Sequence, residues 1–160
     1  MSAIATVGVY GFTGASFLSA LRAADVTLLV DVRQRRGVRG SEYAWANSAR
    51  LQAALAEAGV GYLHRPDLAP TTELRQLQYR EDDRAGVGKR SRARLAPEYA
   101  RRYVSDILDP ADLDSLVAAL PAGGVAALLC VERDPEACHR SLIAGRLRSE
   151  YGLRTADLRP

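Results

Sequence analysis

The feature of this sequence that most limits its fold is a pair of short apolar runs, at residues 26–32 and 125–131. Both have the length of a β-strand, and both would bury side chains on the two faces of a sheet. Strands of a parallel sheet carry such runs because helices cover both of its faces. The two runs therefore predict an α/β protein with a mostly parallel sheet.

Three further segments have strand character, and stretches with helix-like spacing of apolar residues separate the strands. Residues 4–10 and 60–64 are predicted strands, and residues 153–158 are predicted to form a shorter one. Alternation of strands and helices implies crossover connections, which place the strands parallel in one sheet. We therefore predict a single α/β domain over residues 1–160 with about five strands.

Local signals predict where several helices begin and end. Asn47 is expected to cap a helix that Gly59 stops, and Asp109 with Pro110 is expected to start another. The last helix is predicted from about Cys138 to Tyr151.

Residues 65–96 are predicted to be a long, partly irregular insertion. Within them Thr71 or Thr72 is expected to cap a short helix through Leu77, and a helix over residues 98–108 follows. Long connections of this kind in compact domains are usually functional or mobile.

Length and composition exclude several classes of protein. With 160 residues, 48% of them hydrophobic, the chain is long enough for one globular core. No apolar run reaches 18 residues, and the first residues lack the pattern of a secretory signal, so we expect a cytoplasmic protein with no membrane partner. The net charge of +3 could favour an anionic partner. Because Lys89 is the only lysine, the abundance of arginine reflects general usage rather than selection for bidentate contacts.

Polar side chains capable of chemistry follow each predicted strand. In open parallel sheets, ligands bind beyond the carboxyl ends of the strands, where these side chains would meet. The set contains both histidines of the chain, and its members are Tyr10, Asp31, Arg33, His64, Glu132, Cys138, His139 and Arg140.

The segment around Cys138 is the strongest local signal. A thiol at the start of a helix is more easily ionised, and the free N–H groups there can also hold an anion. Cys138 is therefore a candidate nucleophile or part of an anion cradle, although a small buried residue at a helix start would give the same pattern. Cys130 lies inside an apolar run and is expected to pack in the core, and both cysteines are expected to be thiols.

The sequence lacks the specific motifs of cysteine-dependent phosphatases, zinc sites and dinucleotide-binding proteins. Cysteine-dependent phosphatases require an arginine six residues after the cysteine, and Ala144 stands there. Adjacent Cys138 and His139, even with His64, are not a usual chelating set, so no metal site is predicted. The early glycines do not form the dinucleotide-binding pattern, so NAD is not expected, and the sequence leaves the cofactor unknown.

Two arginine-rich segments support an alternative, a nucleic-acid-binding module without catalysis. Basic clusters interleaved with aromatic residues can follow a phosphate backbone and stack bases, although solvated loops would give the same composition. The residues of this alternative are Arg35, Arg36, Arg39, Trp45, Lys89 and Arg90. A protein-interaction domain that uses residues 65–96 is a third possibility.

The sequence also resembles the domain of unknown function 488 family. The resemblance is carried by residues 6–11, 29–33, 62–64 and 130–144, the last containing Cys130-Val131-Glu132 and Cys138-His139-Arg140-Ser141. It implies a Rossmann-like three-layer domain from a prokaryotic cytoplasm, and it supplies no activity.

Taken together, these patterns lead to a first hypothesis of an enzyme-like site for an anionic small molecule such as a nucleotide. Cys138 would be the nucleophile, and His64 or His139 would carry the proton. Arg33 and Arg140 would neutralise the ligand's charge. Asp31 or Glu132 would orient an arginine or a histidine, and Tyr10 would contact the ligand.

Overall fold

The computed structural model describes residues 2–88 and 90–160, and within them five strands form one sheet. The strands are β1 (Ala3–Val7), β2 (Val26–Asp31), β3 (Gly61–His64), β4 (Val125–Leu129) and β5 (Arg154–Leu158). Their order across the sheet is β3-β2-β4-β1-β5, and every neighbouring pair is parallel. The prediction of a Rossmann-like α/β fold with a parallel sheet of about five strands is confirmed.

Six α-helices flank this sheet in the described part of the chain. They are α1 (Gly14–Ala23), α2 (Ser48–Glu57), α3 (Thr72–Ala85), α4 (Pro97–Tyr103), α5 (Leu113–Ala119) and α6 (Arg140–Tyr151). The central strand β4 is the most deeply buried, with residues 126–129 fully covered, as its apolar run predicts. No helix in residues 2–88 and 90–160 combines the length and the apolar character that crossing a bilayer requires.

Two helix starts differ from their predictions. Asn47 precedes α2 but does not cap it, because its side chain accepts a hydrogen bond from the backbone N–H of Val38 at 2.7 Å. Helix α5 begins at Leu113 rather than at Pro110, since the Asp112 carboxylate caps it by accepting from the N–H of Ser115 at 3.0 Å.

The segment at residues 65–96 contains more regular structure than its sequence predicts. Thr71 caps α3 as expected, but the helix continues past Leu77 to Ala85 and ends at Gly86, whose φ of 73° favours glycine. The additional turns bury polar Gln78 and Asp82 instead of apolar residues. Apolar periodicity therefore stops before the helix does.

Candidate active site

A cavity of about 680 Å³ opens at the carboxyl ends of β1, β2 and β4. Its buried end, here called the floor, consists of Cys130, Glu132, Cys138 and His139. Exposed side chains that include Arg35, Arg39 and Arg90 form its mouth. This is the position at which α/β sheets bind small molecules, and the volume suits one.

Three donor atoms meet at the floor. The His139 Nδ1 atom lies 3.6 Å from Cys138 Sγ and 3.7 Å from Cys130 Sγ. His139 Nε2 lies 2.9 Å from the carbonyl oxygen of Val32, and because a carbonyl only accepts, Nε2 carries a proton and Nδ1 faces the sulfurs. Both cysteines are free thiols, and Cys130 Sγ lies 3.4 Å from Glu132 Oε2.

The two thiols have opposite shifts in pKa. Burial raises the pKa of Cys130 well above its ordinary value, and the neighbouring Cys138 raises it further. Burial also acts to raise the pKa of Cys138, but the hydrogen bond with Cys130 and the charge of His139 outweigh it, so this pKa lies well below the ordinary value. Burial acts to lower the pKa of His139, and the charge of Cys138 raises it overall. The floor therefore favours a Cys138 thiolate beside a His139 imidazolium.

A buried arginine joins the floor to α3. The Arg92 guanidinium donates to Asp82 Oδ2 at 2.6 Å, to Glu132 Oε1 at 2.9 Å and to the carbonyl of Ala137 at 3.2 Å. The Arg92 and Asp82 side chains are each only 5% exposed. Gln78 donates to the second oxygen of Asp82 at 2.8 Å. This network fixes the orientation of Glu132 at the floor.

The cavity wall carries an excess of positive charge. Six arginines line it, and Glu132 is the one carboxylate among the described lining residues. Arg33 and Arg92 are neutralised by buried acids, but in residues 2–88 and 90–160 no carboxylate pairs with Arg35 or Arg39. Within the part of the chain that the structure describes, Arg75 donates only to neutral oxygens of Gln34 and Tyr79. The cavity is therefore suited to an anion with more than one charged group.

The structure brings one part of the predicted site together around this cavity. These residues are Tyr10, Arg33, Arg35, Arg39, Arg90, Glu132, Cys138 and His139. Helix α6 begins at Arg140 rather than at Cys138, whose backbone is extended with φ −139°. Cys138 thus precedes the helix, because the short turn at Pro135–Ala137 ends at it.

Asp31 and Arg140 lie behind the cavity rather than in its lining. Asp31 is fully buried, binds Arg33 through both carboxylate oxygens at 2.9 Å and accepts from the Tyr62 hydroxyl at 2.6 Å. Arg140 is also fully buried and donates to the carbonyls of Glu132 at 2.6 Å and Arg133 at 3.2 Å. Each of them holds a lining segment in place.

Three further predicted residues, His64, Arg36 and Trp45, also lie outside the lining. His64 Nε2 lies 3.2 Å from the carbonyl of Arg33, and Arg36 donates to the Tyr62 hydroxyl at 3.4 Å. The Trp45 ring packs on Phe17 with centroids 4.8 Å apart, and its buried indole N–H has no partner in the described residues. Lys89 falls outside the described residues.

Two site residues escape the sequence reasoning. Cys130 packs in the core as its apolar run predicts, but it also lines the cavity, which that run does not indicate. The acidic residue two positions later was the only local hint of a polar floor. Arg92 belongs to an arginine-rich segment but lies 40 positions from Glu132, and nothing local indicates that pairing.

Comparison with known proteins places this architecture in a family. The sequence model described as Domain of unknown function DUF488 matches residues 14–147, which covers most of the chain. The chain belongs to the DUF488 family. No curated protein and no solved structure matches it. The DUF488 match includes every floor residue, whereas Tyr10 precedes it.

Within the DUF488 match, the floor offers the donor set that could hold a metal. Sγ of Cys130, Sγ of Cys138 and a ring nitrogen of His139 all lie within 4.8 Å of one another. All three residues are buried, and Glu132 contributes a carboxylate beside them. Thiolate and imidazole ligands are those that zinc prefers.

Proposed function

We propose that this DUF488 protein is an enzyme that binds a phosphate-bearing small molecule and transfers part of it to the Cys138 sulfur. One observation carries the proposal: a thiol with an imidazole nitrogen 3.6 Å away lies at the floor of a cavity with unneutralised arginines. A nucleophile within reach of a proton carrier, next to charge that orients the substrate, is the arrangement of covalent catalysis.

The proposed reaction uses the Cys138 thiolate as the nucleophile and the His139 imidazolium as the proton donor. Cys138 Sγ attacks an electrophilic carbon of the substrate, a carbon–sulfur bond forms, and the bond to the leaving atom breaks. The His139 Nδ1 proton goes to the leaving atom, which leaves a neutral imidazole. A water then attacks the same carbon while Nδ1 takes one proton of the water. The carbon–oxygen bond forms and the carbon–sulfur bond breaks, which releases the hydroxylated product and restores the thiolate and the imidazolium.

The geometry supports a small molecule rather than a nucleic acid as the substrate. The unneutralised guanidiniums of Arg35 and Arg39 line a concave cavity rather than an extended surface. Trp45, which a nucleic-acid site would need for stacking, packs on Phe17. The Arg90 guanidinium lies 4.9 Å from the centroid of the Tyr10 ring, which keeps a cation and an aromatic edge at the mouth.

Thiol reactivity tests the nucleophile. At neutral pH we expect iodoacetate to modify Cys138 in the native protein faster than neutral iodoacetamide does, because the wall arginines concentrate the anionic reagent. Intact-mass measurement and peptide mapping locate the modification. Cys130→Ala is expected to keep the labelling of Cys138 at a lower rate, because the hydrogen bond that lowers the pKa of Cys138 is lost, and Cys138→Ala is expected to lose it. Labelling of Cys138 only after denaturation would contradict the proposal.

Anion binding tests the wall. For the double variant Arg35→Ala/Arg39→Ala we expect at least about 100-fold weaker binding of adenosine 5′-monophosphate or inorganic pyrophosphate, because each charged hydrogen bond contributes about 1.5–3 kcal/mol. Isothermal titration calorimetry measures the loss. Arg50→Ala, an exposed arginine of α2 outside the lining, is the matched control. Binding of an oligonucleotide but of neither small anion would favour the nucleic-acid alternative instead.

A further inference from the structure

We propose that the floor is also a binding site for one thiophilic divalent cation, for which zinc is the best fit. Its ligands are Cys130 Sγ, Cys138 Sγ, His139 Nδ1 and a carboxylate oxygen of Glu132. Two sulfurs, one imidazole nitrogen and one carboxylate oxygen form a four-coordinate set of the kind that zinc takes in proteins.

The distances from the His139 ring nitrogen to the two sulfurs already fit a tetrahedral ion. Zinc bonds of about 2.3 Å to sulfur and about 2.0–2.1 Å to nitrogen or oxygen place sulfur about 3.5–3.6 Å from either atom in a tetrahedron. In the structure the two sulfurs lie 3.6 and 3.7 Å from His139 Nδ1. Cys130 Sγ lies 3.4 Å from Glu132 Oε2. An ion could therefore enter between the two sulfurs and the imidazole nitrogen with little movement of these three ligands.

The surroundings of these ligands are those of a supported metal site. His139 donates through Nε2 to the carbonyl of Val32 at 2.9 Å, which directs Nδ1 toward the sulfurs. Arg92 holds Glu132 Oε1 at 2.9 Å, and Glu132 Oε2 lies 3.4 Å from Cys130 Sγ. Such outer partners orient metal ligands and maintain affinity.

Burial and access are also suitable. Cys130, Cys138 and His139 are each less than one-tenth exposed, so few waters compete for the ion once it is bound. All three line the cavity, which gives the ion a path from solvent. Because two ligands are thiolates when bound, zinc is favoured strongly over magnesium or calcium.

Occupancy of this site would regulate the proposed enzyme. A sulfur lone pair that binds the ion no longer attacks a substrate, so the loaded protein would be blocked and the metal-free protein competent. This consequence rests on the proposed function, whereas binding of the cation does not.

The test uses cobalt as a spectroscopic probe of the full chain after dialysis against a chelator. We expect one Co²⁺ per chain with the strong visible bands of tetrahedral coordination and a sulfur-to-cobalt charge-transfer band. One equivalent of Zn²⁺ should displace it. An octahedral spectrum without charge transfer, or binding well below one ion per chain, would overturn the site. The wild-type spectrum decides this even where variants fold poorly.

Variants identify the ligands. Cys130→Ser and His139→Gln are expected to weaken Zn²⁺ binding at least 100-fold in competition with a chromophoric chelator. His64→Gln replaces the other histidine of the chain, which lies outside the cluster, and should leave binding unchanged. Equal weakening by the two histidine variants would contradict the assignment.

Labelling of Cys138 with iodoacetate separates the two proposals. Labelling of the metal-free chain without tetrahedral Co²⁺ binding would overturn the cation site and leave the nucleophile in place. Tetrahedral Co²⁺ binding with no labelling of the metal-free chain would overturn the nucleophile and leave the cation site in place. If both hold, one equivalent of Zn²⁺ should slow labelling at least tenfold.

Discussion

Replacing Arg92 with alanine is expected to lower the free energy of unfolding by about 3–5 kcal/mol, since it leaves buried carboxylates without their cation. Asp82 and Glu132 lose charged hydrogen bonds of 2.6 and 2.9 Å, and both side chains are less than one-tenth exposed. At about 2–4 °C per kcal/mol for a chain of this length, the melting temperature should fall by roughly 6–20 °C. Urea and thermal unfolding measure the loss.

An exposed ion pair provides the matched control. Arg84 pairs with Glu81 on the surface of α3, where the arginine side chain is 76% exposed, so Arg84→Ala should change stability by less than about 0.5 kcal/mol. Combining Arg92→Ala with Asp82→Asn should recover part of the loss, because the removed charge no longer needs a partner. If Arg92→Ala were no more destabilising than Arg84→Ala, the buried network would not contribute to the free energy of unfolding.

Adding a single methyl group at Gly8 is expected to destabilise the protein by about 3 kcal/mol. A Cβ atom there would lie 1.9 Å from the carbonyl oxygen and 2.8 Å from the carbonyl carbon of Glu132. Both are backbone atoms, so relief requires the chain after β4 to move, together with the Arg140 hydrogen bond of 2.6 Å that holds it. Chemical denaturation of Gly8→Ala measures the cost, and weaker Co²⁺ binding should accompany it.

A second glycine separates this steric effect from the general effect of adding alanine. Gly145 lies inside α6, and a Cβ there would meet nothing within 4 Å. Gly145→Ala should therefore stabilise the protein by about 0.5–1 kcal/mol through helix propensity. Stability changes of the same sign for both variants would be at odds with the close approach at Gly8.

Much of the fold could be predicted because its signal is local. The apolar runs that became β2 and β4 reflect burial on both faces, and that burial is a property of each strand alone. The far half of α3 could not be predicted from periodicity, since Gln78 and Asp82 are buried by pairing with polar partners. The start of α5 depended on which of two aspartates caps it.

The site was predictable to the extent that it follows strand ends. Cys138, His139 and Glu132 stand beyond β4, and topology alone brings them toward Arg33 beyond β2. That a residue follows a strand in the sequence does not show whether its side chain points into the cavity or into the core. Arg140 has the sequence context of a ligand contact, yet its guanidinium turns inward to two backbone carbonyls. Only packing in three dimensions decides between those directions.

The position of β1 in the sheet determines how long this strand waits for a partner during translation. This strand lies between β4 and β5, and Ala3 pairs with Val125 and Arg154, so about 120 residues separate it from its first neighbour. At translation rates of about 5–20 residues per second, the ribosome needs roughly 6–24 s to supply that neighbour. During this interval β1 lacks both of the strands that it pairs with in the sheet. Cys130, Cys138 and His139 all follow β4, so the floor can assemble only after the first partner strand of β1 has been synthesised.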